Sequence, residues 1–310
     1  MIAFTAGAVT RPLSPDDIVQ AVRHLPSAPR VLPKLKRLLT DVNSSIDDIV
    51  ALIRLDPAIA AQVVRVGNSA YYSNGISCAT VEEAVGRVGF DQIYGLVSYA
   101  VAAQVLIRPL TAYGIEADEV WRQSLACAYA AETLAQHTAQ DHSAAYTLGL
   151  LHSIGMVAID EWSLRGHYDL TLARDENTES TTASELAHLG FTQAETGAAL
   201  LRHWDFPVGA SEAVRWQESP WAAGSHSCLA AVLHTAKRIR SAISEPKKEP
   251  RPPDASVLAL MRLPASSLPA ITAEVALRLE EVSPLLEIAT MSPHAGIPER
   301  ARFPTGSLAR

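Results

Sequence analysis

An all-α fold is predicted by three features of the sequence. Helix-start signals recur along the chain, and the apolar residues behind them repeat with helical period. No stretch shows the sustained polar–apolar alternation of a half-buried strand between turn signals. Taken in order, the first helix starts at Ser14-Pro15-Asp16-Asp17, an N-cap serine with proline at the first helical position. Ser45 to Asp48, Thr80 to Glu83 and Thr192 to Glu195 have the spacing of capping boxes, in which two side chains satisfy each other's orphan backbone donors. Asp56-Pro57 starts another helix in the manner of Ser14-Pro15. Ile46, Ile49, Val50 and Ile53 share one helical face, as do Ala194, Gly197, Ala198 and Leu201, and again Leu229, Val232, Leu233 and Ala236. About a dozen helices of ordinary length would account for the chain.

The pattern breaks at Ser244 to Asp254, where four prolines interleave with charges and a continuous helix is excluded. The expected organisation is therefore an N-terminal extension over residues 1–13, a helical domain over 14–243, and a charged proline-rich linker over 244–254. A C-terminal helical segment over 255–290 and a tail poor in ordering residues over 291–310 follow. Within the C-terminal segment, Val257 to Leu263 and Thr272 to Ala289 read as helices, the second kinked or broken at Pro284.

Composition narrows the function. Of 310 residues, 48% are apolar and 19% charged, which suits a well-cored chain rather than a disordered one. A net charge of -7 argues against non-specific nucleic-acid binding. Cys78, Cys127 and Cys228 are widely spaced and form no CxxC pair, so neither a cysteine zinc site nor a disulfide framework is expected. The uncharged runs Gln92 to Ile107, His142 to Ile159 and Ser219 to Ala236 are diluted by small and polar residues and read as core helices, not membrane spans. The N-terminus lacks the basic start of a signal peptide, and a cytoplasmic protein is expected.

Several stretches occur in an order that resembles the HDOD family, the non-catalytic relatives of HD-domain phosphohydrolases in bacterial signalling proteins. They are His24-Leu-Pro-Ser-Ala-Pro-Arg-Val-Leu-Pro33, the helix from Ile53 through Asp56-Pro57 to Asn68-Ser69-Ala70, and Val81 to Gly89. Trp121-Arg-Gln-Ser124, Gly149-Leu-Leu-His-Ser-Ile-Gly155 and Gly197 to Pro207 complete the set, which covers roughly residues 20–240. The resemblance implies an HD-like multi-helix bundle with a small C-terminal helical appendage. HD enzymes hold metal with histidines and aspartates from separate helices, and the metal supplies hydroxide near neutral pH. Carried onto this chain, the ligand positions fall on Gln123, on His152 with Ser153, on Gln193, on Trp216 with Gln217, and on Lys237. One imidazole among amides, a hydroxyl, an indole and a lysine is a poor divalent-metal site. No metal and no cofactor are expected.

His152 shares a helical face with Leu148, Gly155 and Met156, and a buried, hydrogen-bonded core histidine is the favoured reading. Gly149 and Gly155 are expected to permit close helix packing. Asn68, Ser69 and Tyr72 read first as a helix cap and turn, and second as a partner or ligand contact surface. Trp121, Trp204, Trp216 and Trp221 read as core or interface anchors, with Trp204 a second candidate contact. There is no Gly-x-Ser-x-Gly and no Walker-type loop. The expected function is a non-enzymatic regulatory module that binds a protein partner and a small ligand in the remnant pocket. The alternatives are a phosphohydrolase with re-sited ligands such as His137, His142, His188 or His203, and a nucleotide-responsive regulator.

Overall fold

A computed structural model describes the chain apart from residues 1–2, 7–8, 23–30, 42, 55–58, 61–62, 65–66, 69–71, 73–77, 90–91, 96, 99–101, 103–105, 107, 173–177, 245–252 and 291–310. The helix start expected at Asp56-Pro57, the His24 to Arg30 part of the first family-like stretch and most of the proline-rich segment fall outside the described residues.

The all-α expectation holds, with one addition. β1 (Ala3–Ala6) and β2 (Val9–Pro12) pair antiparallel, with Ala3 opposite Pro12 and Ala6 opposite Val9. Four-residue strands are too short to leave an alternation that stands out in the sequence. The helices then run α1 (Pro15–Ala21), α2 (Val31–Thr40), α3 (Ile46–Arg54) and α4 (Val81–Val88). The middle of the chain forms α5 (Ala117–His137), α6 (His142–Leu151), α7 (Ile154–Arg165), α8 (Thr178–Leu189), α9 (Gln193–His203) and α10 (Val208–Arg215). The series ends with α11 (Ser227–Ser244), α12 (Ala255–Met261) and α13 (Leu268–Thr290).

The caps follow the sequence closely. Ser45 Oγ accepts from the Asp48 N–H at 3.3 Å while Asp48 Oδ2 accepts from the Ser45 N–H at 2.8 Å, and Thr192 and Glu195 make the same reciprocal pair. At Thr80 the box is half formed, because Glu83 reaches past the cap to the Ala79 N–H at 2.7 Å. The predicted faces are buried except at two positions: Ile49, Val50 and Ile53 are in the core, whereas Ile46 at the first helical position is exposed and Leu229 is half-buried. In α13 the helix starts four residues earlier than Thr272 and its backbone stays helical through Pro284. The uncharged run from Ser219 is also not one helix. A 3₁₀ segment, Pro220–His226, bends at Gly224 before α11 begins.

α5 is the central strut, packing on α6, α11 and α13, while α7 packs on α9, which also contacts α10 and α1. Two glycines set these crossings. A Cβ on Gly149 would sit 2.7 Å from the Ala128 Cα on α5, and one on Gly155 would sit 1.9 Å from the Gln193 carbonyl oxygen on α9. Only hydrogen fits at either place, as expected from the sequence. α12 and α13 do not stand apart, since Val257, Leu258, Met261, Ile271 and Val275 belong to the same buried cluster as the rest of the chain. Arg278 ties α13 to α5 by pairing with Glu132, donating to Thr133 Oγ1 at 3.1 Å and lying over the Tyr129 ring. No single described helix is long and apolar enough to cross a membrane.

Candidate functional site

The uncharged run from His142 breaks at His152 and Ser153, the junction between α6 and α7. His152 therefore does not continue a helical face into Gly155 and Met156, which corrects the continuous-helix expectation. It is buried and hydrogen-bonded, as expected. Its Nδ1 lies 2.7 Å from the Gly149 carbonyl oxygen. A carbonyl can only accept, so Nδ1 carries the proton and Nε2 is left as an acceptor. Nε2 faces Arg240 Nη1 of α11 at 3.4 Å. Burial, and then the Arg240 and Lys237 charges, hold the imidazole well below its usual pKa against the opposing Gly149 bond, so it is neutral at physiological pH.

Around this junction lies a cavity of about 530 Å³, and five of the seven candidate ligand residues meet on its walls: Gln123, His152, Ser153, Gln193 and Lys237. Four of the five side chains, those of Gln123, His152, Ser153 and Lys237, have protein partners. The Gln123 amide donates to Glu119 Oε1 at 2.9 Å, Ser153 Oγ is 3.2 Å from Ser124 Oγ, and Lys237 pairs with Glu218. Burial pushes the Glu218 carboxyl up, but the Lys237 charge and hydrogen bond, together with the His234 and Arg238 charges, outweigh it and the net shift is downward. The other two, Trp216 and Gln217, are not part of the wall; Gln217 is buried. The Gln217 amide sits behind, donating to the His152 and Val214 carbonyls at 3.0 Å each and bracing the junction. Its neighbour Trp216 is half-buried, with its indole N–H on Glu212.

Sequence reasoning missed Glu185, Tyr113, Glu218, His234 and Arg240 here. Glu185 on α8 accepts from the Tyr113 hydroxyl at 2.9 Å and from the Gln193 N–H at 2.8 Å, and burial pushes its carboxyl up to about 7. The turn that brings α8 and α9 together needs Gly190, which has φ +86 and donates its N–H to Leu186. Tyr113 is aimed at Glu185 because its segment is tied down beneath α7: Asp160 accepts from the Ala112 N–H at 2.8 Å and pairs with Arg108. Glu218 and His234 escaped notice because their partners are distant in sequence, His234 Nδ1 lying 3.0 Å from the Gln217 carbonyl. Arg240 carried a visible signal, since it stands three residues after Lys237 and so on the same side of α11.

The candidate contact residues lie elsewhere. Both amide atoms of Asn68 grip Cys78, one accepting from its N–H and one donating to its carbonyl at 2.7 Å each. Asn68 is therefore held by the Cys78 backbone, and the turn expected after it lies outside the described residues. Tyr72 donates its hydroxyl to Gln92 at 2.8 Å, and Ser69 falls outside the described residues. Trp204 is buried at the end of α9, and Trp121 is buried as well. Trp221 is 61% exposed and is not a core anchor. His137, His142, His188 and His203 are all exposed and none lines the cavity. Among the described residues, no three His, Cys, Asp or Glu side chains group to hold a metal.

The donor set does not fit a divalent metal. The one imidazole directs its free lone pair at a guanidinium, and the remaining positions present amides, a hydroxyl and an ammonium. Fold and site thus define a multi-helix HD-like scaffold whose candidate ligand positions carry amides, a hydroxyl, an imidazole, an indole and an ammonium. The HDOD domain family model matches residues 25–220, and the chain belongs to that family. An uncharacterized protein of Treponema pallidum (strain Nichols) is 29% identical over 209 residues, which is 65% of this chain but 39% of that protein's length. A solved structure from Marinobacter aquaeolei VT8, named for signal transduction, superposes with TM-score 0.70 at 22% identity over 92% of this chain and 63% of its own. One from Shewanella amazonensis SB2B, named as a phosphohydrolase, gives TM-score 0.60 at 23% identity over 88% and 97%. At these identities the structures share the fold.

Proposed function

We propose that this protein is a non-enzymatic signalling module, a regulatory member of the HDOD family that works by binding a partner protein and takes a small ligand in the cavity around His152. The observation that carries the non-enzymatic part is the Arg240 guanidinium facing His152 Nε2 at 3.4 Å. In a metal site that lone pair would be the ligand. Here a cation faces it, and Lys237 adds a second positive charge to the same cavity. A Lewis acid would have to displace both. The name of the Marinobacter relative supports a signalling role, and the Shewanella relative's name supports the phosphohydrolase alternative. The side chains of this chain favour the former.

The test uses full-length protein purified without an affinity tag. Elemental analysis after dialysis is expected to find well below one equivalent of manganese, iron or zinc. Hydrolysis of bis(p-nitrophenyl) phosphate with added manganese is expected to stay at the background rate. A stoichiometric metal together with turnover would refute the reading. Capture of a defined partner from the native organism, lost when the cavity or an exposed face is altered, would identify the binding surface.

A further inference from the structure

We infer that the cavity is a binding site for a small molecule carrying an oxyanion group, a phosphate or a carboxylate, which sits on Arg240 while Gln193 Oε1 accepts from an N–H or O–H of the same molecule. This rests on the metal-free reading above and extends it by naming the ligand chemistry. The charges on the wall do not cancel pairwise. Glu218 is engaged by Lys237, Glu185 by the Tyr113 hydroxyl and the Gln193 N–H, and Glu119 by the Gln123 amide. Among the described residues no carboxylate comes within ion-pair distance of Arg240, and its only hydrogen-bond partner is the neutral His152 at the long distance of 3.4 Å. A planar guanidinium with unused donors on a concave wall matches a carboxylate or phosphate edge-on, with two parallel hydrogen bonds.

The second observation is independent. Gln193 is 9% exposed and lines the cavity, yet its side-chain oxygen is buried without a hydrogen-bond partner. Buried acceptors are nearly always satisfied, and an unpaired one on a residue that lines the cavity points to a donor that a ligand brings once the amide turns toward it. The two groups come from α11 and α9, on walls that also carry His152 and Ser153. A volume of about 530 Å³ is ample for a phosphorylated or carboxylated metabolite and too small for a folded partner.

Isothermal titration of the full chain in EDTA at low ionic strength tests this with glycerol 3-phosphate, malonate and glycerol. Glycerol 3-phosphate or malonate should bind saturably and glycerol should not, and whichever anion binds more tightly names the oxyanion. Arg240→Gln should weaken that binding by about tenfold or more, the loss of a charge-assisted hydrogen bond. Arg240→Lys, which keeps the charge but loses the paired donors, should bind more weakly than wild type and more tightly than Arg240→Gln, and Gln193→Leu should weaken glycerol 3-phosphate more than malonate. If Arg240→Gln does not fold, Gln123→Glu, which adds a negative charge on a half-buried part of the wall, should abolish binding instead. Absence of binding by both anions, or equal binding by wild type and the charge variants, overturns the site and leaves the metal-free reading standing. Binding that appears only with manganese in place of EDTA overturns both.

Discussion

The crossing of α7 and α9 gives the sharpest prediction. A Gly155→Ala change places a methyl carbon 1.9 Å from the Gln193 carbonyl oxygen and 2.7 Å from the Gly197 nitrogen, both backbone atoms. Real Cβ contacts below 3.0 Å are essentially not seen, so the two helices must part by about 1 Å. Overpacking of this kind costs about 1–3 kcal/mol, and the upper end applies because no flexible side chain can give way. Alanine's better helix propensity returns at most about 1 kcal/mol. The net loss should be about 2 kcal/mol, read as a fall in Tm of roughly 4–8 °C by differential scanning fluorimetry. Gly86→Ala is the matched control. That glycine lies inside α4 with nothing within 4 Å of the added carbon, so it should hold or raise Tm. If Gly155→Ala were as stable as wild type while Gly86→Ala behaved as stated, the close crossing would be wrong. The positions of Gln193 and the cavity wall would then be wrong with it.

Other outcomes follow from the same geometry. Ser153→Asp should not restore metal binding, because Arg240 still faces the His152 lone pair and Gln123 and Gln193 still present amides; elemental analysis after manganese loading and dialysis checks this. Glu185 keeps its proton in the folded chain up to about pH 7, above its ordinary unfolded value. Between those values the folded state binds more protons than the unfolded one, so this carboxyl's contribution is full at low pH and falls as pH rises towards 7. Compared with Glu185→Gln, the wild type should therefore lose up to about 3 kcal/mol between pH 4.5 and 7.5, measured by urea denaturation across that range; a pH-independent difference would count against the burial of Glu185. Arg108→Ala removes the cation from fully buried Asp160 and should cost about 2–4 kcal/mol, seen as a lower urea midpoint at pH 7.

Much of the fold was legible because its signals are local. Caps such as Thr192 with Glu195 are closed within four residues, and the apolar faces of α9 and α11 recur within two turns. The candidate site was legible as a set of positions, since motif order alone brought Gln123, His152, Ser153, Gln193 and Lys237 to one cavity. What was not legible is how those positions are used. Arg240 meets His152 across 88 residues of chain, Glu185 meets Tyr113 across 72, and Gln217 meets the His152 carbonyl across 65. Such partnerships depend on how helices are placed in three dimensions, which no periodicity encodes. The His142 run misled for a related reason. Its apolar residues continue on both sides of His152, and the turn there is held by side-chain bonds from distant residues rather than by a proline or glycine at the break itself.

The wall supplied by α11 bears on where this protein can be shortened. The family match ends at residue 220, but Lys237 and Arg240 stand well beyond it, together with the buried residues Ala230 to Ala236 that seat α11 against α5. A fragment trimmed to the recognised family boundary would lack the side of the vessel that bears its positive charge. It would also leave the long apolar flank of α5 in water. The smallest piece that can keep its contents therefore runs at least through Ser244, and the domain as a working object is larger than the domain as a sequence pattern.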